Sequence, residues 1–386
     1  MTRRESRQQA QRIVGLFPDL LGVGGVQEAG QQTVATLNEI APRHGWVTYF
    51  LSLNDPPGGQ AFHAGESWIS FRGFGRSKCQ FVLSAFRQSR EEAHIVFAAH
   101  PHLALRGALM KLISPRLKTF VMAHGAEVCK PLPWLQRTAP LYAGLALAPS
   151  RDTVQKLIDV QGVSPERIRI LAWPLSPNFL RMANAPPGLP LPIGFPQGRV
   201  ILTVGRWAAS ERYKGADELI RAMPQLCTAV RGLHLVAVGA GDDLPRLRKL
   251  AAACGVTGCI HFLENLSQEE LAACCARADV FALPSTGEGF RLVFLEAMAF
   301  AKPVVGAAFG GITDLVENGV NGLLVPPRDT DQLGAAFGRL LGDKSLCKEM
   351  GQRGAEIVRQ RYEFGLFQSA FEKMLKDCGL DPMYSA

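Results

Sequence analysis

Short apolar segments alternate with longer segments of helical period along both halves of this 386-residue chain. Candidate strands in the first half are IVGLF, WVTYFLSL, HIVFAAH, TFVMAH, GLALAPS and RIRILAW. Candidate strands in the second half are VILTVG, LHLVAVG, IHFLEN, DVFALPS, PVVGAA and GLLVPP. Strands that alternate with helices are typical of a parallel sheet covered by helices. The pattern therefore predicts an α/β fold, Rossmann-like in type, in each half of the chain.

A proline- and glycine-rich segment from Ala183 to Gly198, ANAPPGLPLPIGFPQG, separates the two halves and interrupts both periodicities. A chain of this length is also too long for one ordinary core and fits two domains, which implies a cleft between them. Phe364, Phe367 and Phe371 would let a last helix pack back onto the first domain. The predicted segments are a first domain over 1–185, a linker over 186–198, a second domain over 199–362 and a returning C-terminal helix over 363–386.

The composition is that of a folded globular protein, with 47% apolar and 20% charged residues. No apolar run approaches the about 18 residues of a membrane span. The basic opening segment meets Pro18 and Asp19 too soon for a signal peptide. The nine cysteines form no CxxC pair, which favours reduced thiols over a disulfide framework or a zinc site. We therefore expect a cytoplasmic protein.

The net charge of +8 belongs to the first half of the chain. Residues 1–185 hold 21 Lys and Arg against 12 Asp and Glu, a difference of +9, whereas the remainder holds 21 against 22, a difference of −1. A basic face there suits an acidic acceptor or the anionic headgroups of the inner membrane face, and a solvated surface is the alternative. No RNA-binding signature accompanies it, so nucleic acid is not expected as a partner. Much of the excess comes from Arg72, Arg76, Lys78, Arg106, Lys111, Arg116 and Lys118.

Two glutamates lie eight residues apart in GEGFRLVFLEA, from Gly287 to Ala297. Glu288 is predicted in a glycine-flanked loop after the strand DVFALPS, and Glu296 about one turn into the helix that follows. Ligands of parallel sheets gather at such strand ends. Because a carboxylate accepts hydrogen bonds from vicinal hydroxyls, the pair predicts a ligand with sugar rings. The alternative is that Glu288 caps the helix and Glu296 faces solvent.

Two cations follow the first strand of the second domain. Arg206 ends the segment VGRW, and Lys214 comes eight residues later in ERYKGADELI, before a helix. A planar guanidinium and a mobile ammonium at one strand end suit a diphosphate and would offset the charge of a leaving group, although each could also be an ordinary surface cation.

No Asp-x-Asp pair follows a strand and no His/Cys cluster has ligand spacing, so no metal is expected.

The first domain offers a glycine loop and two histidines at strand ends. In PDLLGVGGVQEAGQQT, Gly24 and Gly25 permit an anion to approach the backbone at the start of a helix, with a plain turn as the alternative. The third glycine of GxGxxG is missing, so only Asp55 would support a dinucleotide. His124, in AHG after TFVMA, and His100, in AAHPHLAL, could hydrogen-bond substrate hydroxyls or have structural roles.

The order and spacing of these motifs resemble the retaining glycosyltransferases of the GT-B fold, in the group with a Glu-x7-Glu motif (family four, glycosyl transferases group 1). The resemblance covers nearly the whole chain, with a looser match in the first domain through the glycine loop and the AHG of His124. It is strongest from Val204 to Asp329, through VGRW, ERYKGADELIRAM, LHLVAVGAGDD, IHFLENLSQEEL, ADVFALPSTGEGF, LVFLEAMAFAKPVV and GGITDLVENGVNGLLVPPRD. It implies two Rossmann-like domains facing across a cleft, with a C-terminal helix that crosses back to the first.

The resemblance also implies a donor, a UDP- or GDP-hexose held mainly by the second domain, with no cofactor. The hexose would pass, with its anomeric configuration retained, to a glycan or lipid-linked acceptor, as in the synthesis of cell-surface polysaccharide or glycolipid. The implied catalytic residues are Glu288, His124, Arg206 and Lys214, and the implied acceptor-side residue is His100. The implied donor-binding residues are Gly24, Gly25, Arg206, Lys214, Leu266, Gln268, Glu288, Gly289, Phe290, Arg291, Leu292, Val293 and Glu296.

Within that set, the resemblance implies that the base lies near Leu266 and Gln268 and that Glu296 holds the ribose. Glu288 would contact the hexose from one side and His124 from the other. Arg206 and Lys214 would hold the diphosphate.

Arg291 departs from the family pattern, in which glycine usually follows the EGF triplet. An arginine at this position could add a phosphate contact, or it could crowd the backbone approach that glycine permits. The competing hypotheses are a catalytically altered nucleotide-sugar-binding protein and a GT-B epimerase or phosphorylase. An NAD oxidoreductase is disfavoured because the GxGxxG motif is absent.

Overall fold

The chain forms two compact units. A computed structural model describes residues 11–22, 24–64, 67–90, 93–114, 116–134, 144–185, 188–287 and 289–378. The first unit takes in the described residues up to Pro174 together with those from Phe364 onward. The second unit runs from Leu175 to Glu363.

The first unit is built on a largely parallel sheet flanked by helices. Its elements are β1 (Arg12–Phe17), α1 (Gly25–Ile40), β2 (Val47–Ser52), β3 (Gly58–Ala64), β4 (Ser67–Gly73), α2 (Lys78–Arg90), β5 (Ala93–Ala98), α3 (Pro101–Ile113), β6 (Lys118–Met122), β7 (Leu145–Ala148), α4 (Arg151–Asp159) and β8 (Ile168–Ile170). Within the described residues the strand order is β3-β4-β2-β1-β5-β6-β7-β8, and β3 alone runs antiparallel to its neighbour. The loops after β1, β5 and β6 therefore emerge side by side.

Strands β3 and β4 form an edge hairpin that the sequence analysis does not predict. Their register pairs Gly58 with Gly73 and Ala64 with Ser67. In β4, buried Ile69 and Phe71 alternate with exposed neighbours, which is the signature of a half-buried strand. The glycine pair at the start of β3 is typical of a turn, so the sequence pattern does not indicate the strand that begins there.

A buried apolar cluster joins α2 and α3 to the central strands of the first sheet. It includes Val14 of β1, Val96 of β5, Phe81 of α2 and Leu103 of α3, each at most 3% exposed. Burial of side chains of this size stabilises the fold by about 1.5–3 kcal/mol each. The cluster fixes the strand ends that carry the histidines.

The second unit repeats the pattern with a sheet that is parallel throughout the described residues. Its elements are α5 (Pro177–Asn184), β9 (Arg199–Val204), α6 (Ala216–Ala229), β10 (Leu233–Val238), α7 (Leu244–Ala253), β11 (Ile260–Leu263), α8 (Gln268–Arg277), β12 (Val280–Leu283), α9 (Leu292–Ala299), β13 (Val304–Ala307), α10 (Ile312–Leu315), β14 (Gly322–Val325), α11 (Thr330–Gly342) and α12 (Lys344–Arg361). The strand order is β11-β10-β9-β12-β13-β14. Every apolar segment predicted as a strand in this half forms one.

The boundary between the units lies earlier in the chain than the predicted linker at 186–198. Helix α5 belongs to the second unit, where the Phe179 ring meets the Phe300 ring edge-on with centroids 5.7 Å apart. The amide of Leu175 donates to the carbonyl of Tyr362 over 2.8 Å. Proline and glycine mark irregular backbone, whereas these packing contacts decide which unit a segment joins. The predicted first domain therefore extends too far, at 185 instead of 174.

The last helix, α13 (Phe364–Asp377), groups with the first unit. The Phe371 ring lies edge-on to Phe97 of β5 at 5.8 Å, and Glu372 accepts from His44 Nε2 over 2.7 Å. This is the packing that the phenylalanine spacing predicts. None of the helices in the described ranges combines the length and the apolar composition of a membrane span.

Candidate functional site

The second sheet reverses its strand order between β9 and β12. From β9 the order runs outward through β10 and β11, and from β12 it runs the other way through β13 and β14. Ligands of open α/β sheets bind outside the carboxyl ends of the strands at such a switch point. A ligand is therefore expected at the loops after β9 and β12.

The loop after β9 brings the two predicted cations together through a third residue, Glu211. Arg206 lies in this loop two residues after the end of β9, and Lys214 closes the 3-10 segment Ala209–Lys214. One oxygen of the Glu211 carboxylate pairs with Arg206 Nη2, and the other lies 2.9 Å from Lys214 Nζ. The side chains of Glu211 and Lys214 are 10% and 12% exposed, whereas that of Arg206 is 73% exposed. Arg206 and Lys214 thus lie at one strand end, as their spacing predicts.

The cation-bearing segment also packs against the loop that follows β12. The amide of Thr286 donates to the carbonyl of Tyr213 over 2.8 Å. A Cβ on Gly287 would lie 2.7 Å from the Tyr213 ring, and a Cβ on Gly215 would lie 2.6 Å from the carbonyl oxygen of Pro284. Gly215 also has a positive φ of 81°, which side chains rarely adopt. The two loops therefore form one assembly whose close approach requires glycine at both places.

A second group of ion pairs lies beside the first. Asp243 accepts from Arg212 Nη2 over 2.9 Å and from Arg246 Nη2 over 2.6 Å, and Arg246 also pairs with Asp217 over 2.6 Å. Hydrogen bonds donated by Arg246 are the main cause that lowers the pKa of Asp243, and the bonds that Arg246 donates to Asp243 and Asp217 raise the pKa of Arg246. These ion pairs anchor the loop after β9 to α6 and α7.

Arg291 turns its guanidinium into the protein and away from solvent. It is 2% exposed, and its Nη1 and Nη2 donate to the carbonyls of Leu283 over 3.3 Å and Ser285 over 3.1 Å. Its guanidinium carbon also lies 5.8 Å from the centre of the Phe294 ring. The structure does not show the predicted contact between this guanidinium and a phosphate, because the buried side chain bonds to the carbonyls at and just after the end of β12.

The start of α9 carries most of the remaining predicted donor residues. Leu292 and Val293 form its first turn, Gly289 is buried and Phe290 lies 5.9 Å from the Tyr362 ring. Glu296 is half-buried in the second turn, as predicted. Burial first and the charge of Glu296 second raise the pKa of the neighbouring Cys275 thiol. Glu288 lies outside the described residues.

Leu266 borders a cavity of about 390 Å³ beyond the carboxyl end of β11. The other lining residues are Pro192, Ile193, Phe262, Leu263, Glu264, Asn265 and Glu270. Gln268 is the exposed first residue of α8, directly after Ser267, which caps the helix together with Glu270. The cavity is large enough for a planar ring system, and Leu266 is the predicted base-site residue that lines it.

The glycine loop of the first unit leads into the 16-residue helix α1. Gly24 is the N-cap, and its φ of 149° is a conformation that L-residues rarely adopt. A Cβ on Gly25 would meet no atom within 4 Å. The backbone at the start of α1 is therefore open to an approaching group, and the amides of a helix N-terminus favour an anion.

His124 and His100 meet at the carboxyl edge of the first sheet, with ring centroids 6.0 Å apart. The Nε2 of His124 lies 2.8 Å from the carbonyl oxygen of Ala99 and must carry the proton of that bond, which leaves Nδ1 as an acceptor. The Nδ1 of His100 accepts from the amide of His102 over 3.2 Å and so caps α3. Burial lowers the pKa of His100 to about 4, so it is neutral at pH 7.

The carboxylate of Asp55, the residue that would have supported a dinucleotide, bonds to groups of the protein itself. Its carboxylate accepts from the amides of Leu20 over 2.7 Å and Leu21 over 3.2 Å and from the Ser52 hydroxyl over 2.6 Å. The side chain is 5% exposed. It holds the glycine loop in place, and its burial keeps it from the solvent-facing position that a ribose contact requires.

Sequence reasoning missed Glu211, Tyr213 and the acids that hold the arginines. Glu211 comes three residues before Lys214, and this spacing within one helical turn could have identified it as a partner. Tyr213 and Asp243 left no comparable signal, because their contacts join loops that are distant in sequence. The structure brings Arg206, Lys214 and the loop after β12 together in the second unit, and His100 and His124 together in the first.

Residues 198–343 match the family model described as glycosyl transferases group 1. The chain is 36% identical over 170 residues to a GDP-mannose-dependent alpha-(1-6)-phosphatidylinositol monomannoside mannosyltransferase of Mycobacterium tuberculosis, a match that covers 42% of this chain and 44% of that protein. It is 35% identical over 222 residues to a D-inositol 3-phosphate glycosyltransferase of Acidothermus cellulolyticus, which covers 54% of this chain and 48% of that protein. The matches thus span about half the length of these curated relatives. The family model covers residues 198–343, which lie within the second unit.

Solved structures share the fold over most of the chain. Anabaena Alr3699/HepE, solved in complex with UDP and glucose, has a TM-score of 0.73 at 19% identity and covers 95% of this chain and 100% of that one. The lipopolysaccharide outer core galactosyltransferase WaaB in its apo form has a TM-score of 0.70 at 18% identity with the same coverage. The α/β, GT-B fold class predicted from the sequence is confirmed.

Proposed function

We propose that the protein is a retaining glycosyltransferase, which moves a hexose from a nucleotide-diphosphate sugar to a glycan or lipid-linked acceptor. The observation that carries the proposal is that Arg206 and Lys214 share Glu211 at the switch point of the second sheet, within the residues that match the glycosyl transferases group 1 model. Two cations at one strand end complement a diphosphate. Relatives named for mannosyl transfer to phosphatidylinositol monomannoside and for transfer to D-inositol 3-phosphate support the reaction class and a polar or lipid-linked acceptor.

In the proposed complex the second unit holds the donor. The base enters the cavity beside Leu266, Glu296 accepts from the ribose hydroxyls, and Arg206 and Lys214 hold the diphosphate. The amides at the start of α9 complete the anion site. Either uracil or guanine fits this scheme, since HepE was solved with UDP and the mycobacterial relative is GDP-mannose-dependent.

The proposed reaction proceeds by departure of the diphosphate and attack of the acceptor hydroxyl on the same face of an oxocarbenium-like centre. The anomeric carbon–oxygen bond breaks, its electron pair goes to the diphosphate, and Lys214 and Arg206 stabilise the new charge. A phosphate oxygen of the leaving group takes the acceptor proton. Because these cations supply the electrostatic stabilisation, we propose that no divalent metal takes part. We also propose that His124 Nδ1 accepts a hydrogen bond from a substrate hydroxyl.

Donor binding is tested by thermal shift with UDP, GDP, uridine and guanosine. A ligand at about 100 times its Kd stabilises the native state by about 2.7 kcal/mol, so one of the diphosphates should raise the Tm by several degrees and its nucleoside should raise it less. Glu296→Gln should reduce the shift because the amide loses the charge that strengthens bonds from the ribose hydroxyls. The exposed Glu356→Gln on α12 is the matched control. A protein that responds to neither diphosphate is not a nucleotide-sugar transferase.

We further propose that the first unit attaches to the inner face of an anionic membrane, where a lipid-linked acceptor is available. Arg72, Arg76 and Lys78 are exposed at the end of β4 and the start of α2. Trp68 of the edge hairpin is 71% exposed and Leu83 of α2 is 64% exposed. Arg116 is also exposed, whereas Lys118 donates to the carbonyl of Cys378, and the side chain of Arg106 lies outside the described residues.

Flotation with phosphatidylcholine vesicles, with and without phosphatidylglycerol, tests the attachment. Substitution of Arg72, Arg76 and Lys78 by alanine should lower binding to the anionic vesicles by about two orders of magnitude at low salt, because each basic residue contributes about 1 kcal/mol. A control variant with the same loss of charge replaces the exposed Lys249, Lys344 and Lys348 of the second unit. Equal binding to neutral and anionic vesicles would contradict the proposed surface.

A further inference from the structure

Glu211 occupies the position between the two cations of the proposed diphosphate site. Its two carboxylate oxygens are divided between Arg206 and Lys214, and the Lys214 contact is 2.9 Å long. The Glu211 side chain is only 10% exposed. A carboxylate that is nine-tenths buried and shared between two cations is an internal counter-ion, because it offsets the repulsion between them.

The backbone holds Glu211 there without help from its side chain. Its amide donates to the carbonyl of Ala208 over 2.8 Å, and its φ and ψ of −118° and 27° interrupt the 3-10 segment. The amide of Ala209 donates to Asp242 over 2.8 Å, and the carbonyl of Tyr213 accepts from Thr286 over 2.8 Å. Neutralising the carboxylate therefore removes a charge while the segment keeps its anchors at both ends.

A diphosphate at this site would compete with Glu211 for Arg206 and Lys214. The other nearby arginines, Arg212 and Arg246, have carboxylate partners of their own in Asp243 and Asp217. A diphosphate carries at least two negative charges and would bind the same Arg206 and Lys214 atoms that Glu211 holds. Like charges so close repel strongly when they are partly shielded from water. The carboxylate and the phosphate oxygens therefore compete for the two cations.

We propose that Glu211 is a displaceable counter-ion, a positioning residue that holds Arg206 and Lys214 before the donor binds and competes with the nucleoside diphosphate after transfer. The inference rests on the proposed function. In the free enzyme Glu211 keeps both cations at one strand end. The diphosphate site is therefore preorganised before the donor binds. After the hexose has left, the carboxylate returns to the cations and hastens release of the product.

The test is calorimetric titration of the wild type and Glu211→Gln with UDP and GDP. The glutamine variant should bind the nucleoside diphosphate about tenfold more tightly, since a charge-assisted contact no longer competes. In steady state it should show a lower KM for the donor and stronger product inhibition, with a lower kcat if release limits turnover. Uridine or guanosine, which lack the phosphates, should bind both proteins equally.

Asp242→Asn is the matched control, because it removes one negative charge from the same loop assembly and leaves Arg206 and Lys214 with Glu211. If Asp242→Asn tightens binding as much as Glu211→Gln, the effect comes from the local electrostatic potential and not from competition for the two cations, and the inference is wrong. Unchanged or weaker binding by Glu211→Gln also overturns it. Glu211→Asp, which keeps the charge but shortens the reach, should give an intermediate affinity and serves if the glutamine variant misfolds. A wild type that binds neither nucleotide overturns the proposed function, and with it this inference.

Discussion

Replacement of Lys214 by methionine is expected to lower kcat/KM for the sugar donor by about 100- to 1000-fold with little change in Tm. Removal of one group that stabilises the charge of a transition state has an effect of this size. The Lys214 ammonium is nearly buried, with 12% of the side chain exposed, so water screens it poorly. Methionine keeps the unbranched aliphatic stem, and Glu211 keeps its pair with Arg206.

The control for this prediction is Lys249→Met, which removes an exposed lysine from α7 in the same unit. Transfer is measured as nucleoside diphosphate released and sugar incorporated, and Tm is measured in parallel. Full turnover by Lys214→Met would remove the proposed site. A loss of activity accompanied by a Tm loss of many degrees would show that Lys214 acts on stability instead.

Replacement of Arg291 by methionine is expected to lower the free energy of unfolding of the second unit by about 3 kcal/mol. The guanidinium is 2% exposed and donates to the carbonyls of Leu283 and Ser285, which would be left without those donors. A buried polar group without a partner costs about 1–3 kcal/mol. The Tm should therefore fall by about 6–12 °C. KM for the donor should rise as well, since the same carbonyls position the loop after β12.

Arg169→Met is a close control for this substitution. Arg169 is exposed, and its Nη1 also donates to two carbonyls, of Glu166 over 2.8 Å and Ile168 over 2.9 Å. Water replaces donors at an exposed site, so this variant should lose less than about 0.5 kcal/mol. Arg291→Gly, which restores the residue that the family usually has, should be at least as unstable as Arg291→Met, because it adds a cavity. A stable and fully active glycine variant would show that the arginine is merely tolerated.

The alternation of apolar and helical segments was sufficient to predict the fold. Strands such as β9 and β12 are buried on both faces, so they appear in the sequence as continuous apolar runs. The switch point between them follows from strand order, and the motif spacing places Arg206 and Lys214 there. The edge hairpin and the unit boundary were not predictable in this way, because Gly58 and Gly59 imitate a turn and α5 joins its unit through tertiary contacts.

The site could be predicted in its residue types but not in its partners. A sequence shows that Arg206, Glu211 and Lys214 are near one another in the chain, but it does not show that one carboxylate bridges both cations. Arg291 is the clearest case, since the sequence allowed a phosphate contact or a crowded backbone. The structure shows a third arrangement, in which the side chain folds under the loop and bonds its carbonyls. The roles of Glu288, His124 and the donor-binding residues remain predictions.

The return of α13 to the first unit constrains the order in which the chain matures on the ribosome. The residues up to Pro174 are synthesised before the second unit, but Phe371, whose ring packs against Phe97, follows that unit in the chain. The second unit, Leu175 to Glu363, is one continuous stretch and has all its elements available before α13 is synthesised. Until then the first unit lacks the helix that packs against β5, and apolar surface at Phe97 stays uncovered. We therefore expect a chaperone that binds the nascent chain to shield this unit until α13 emerges.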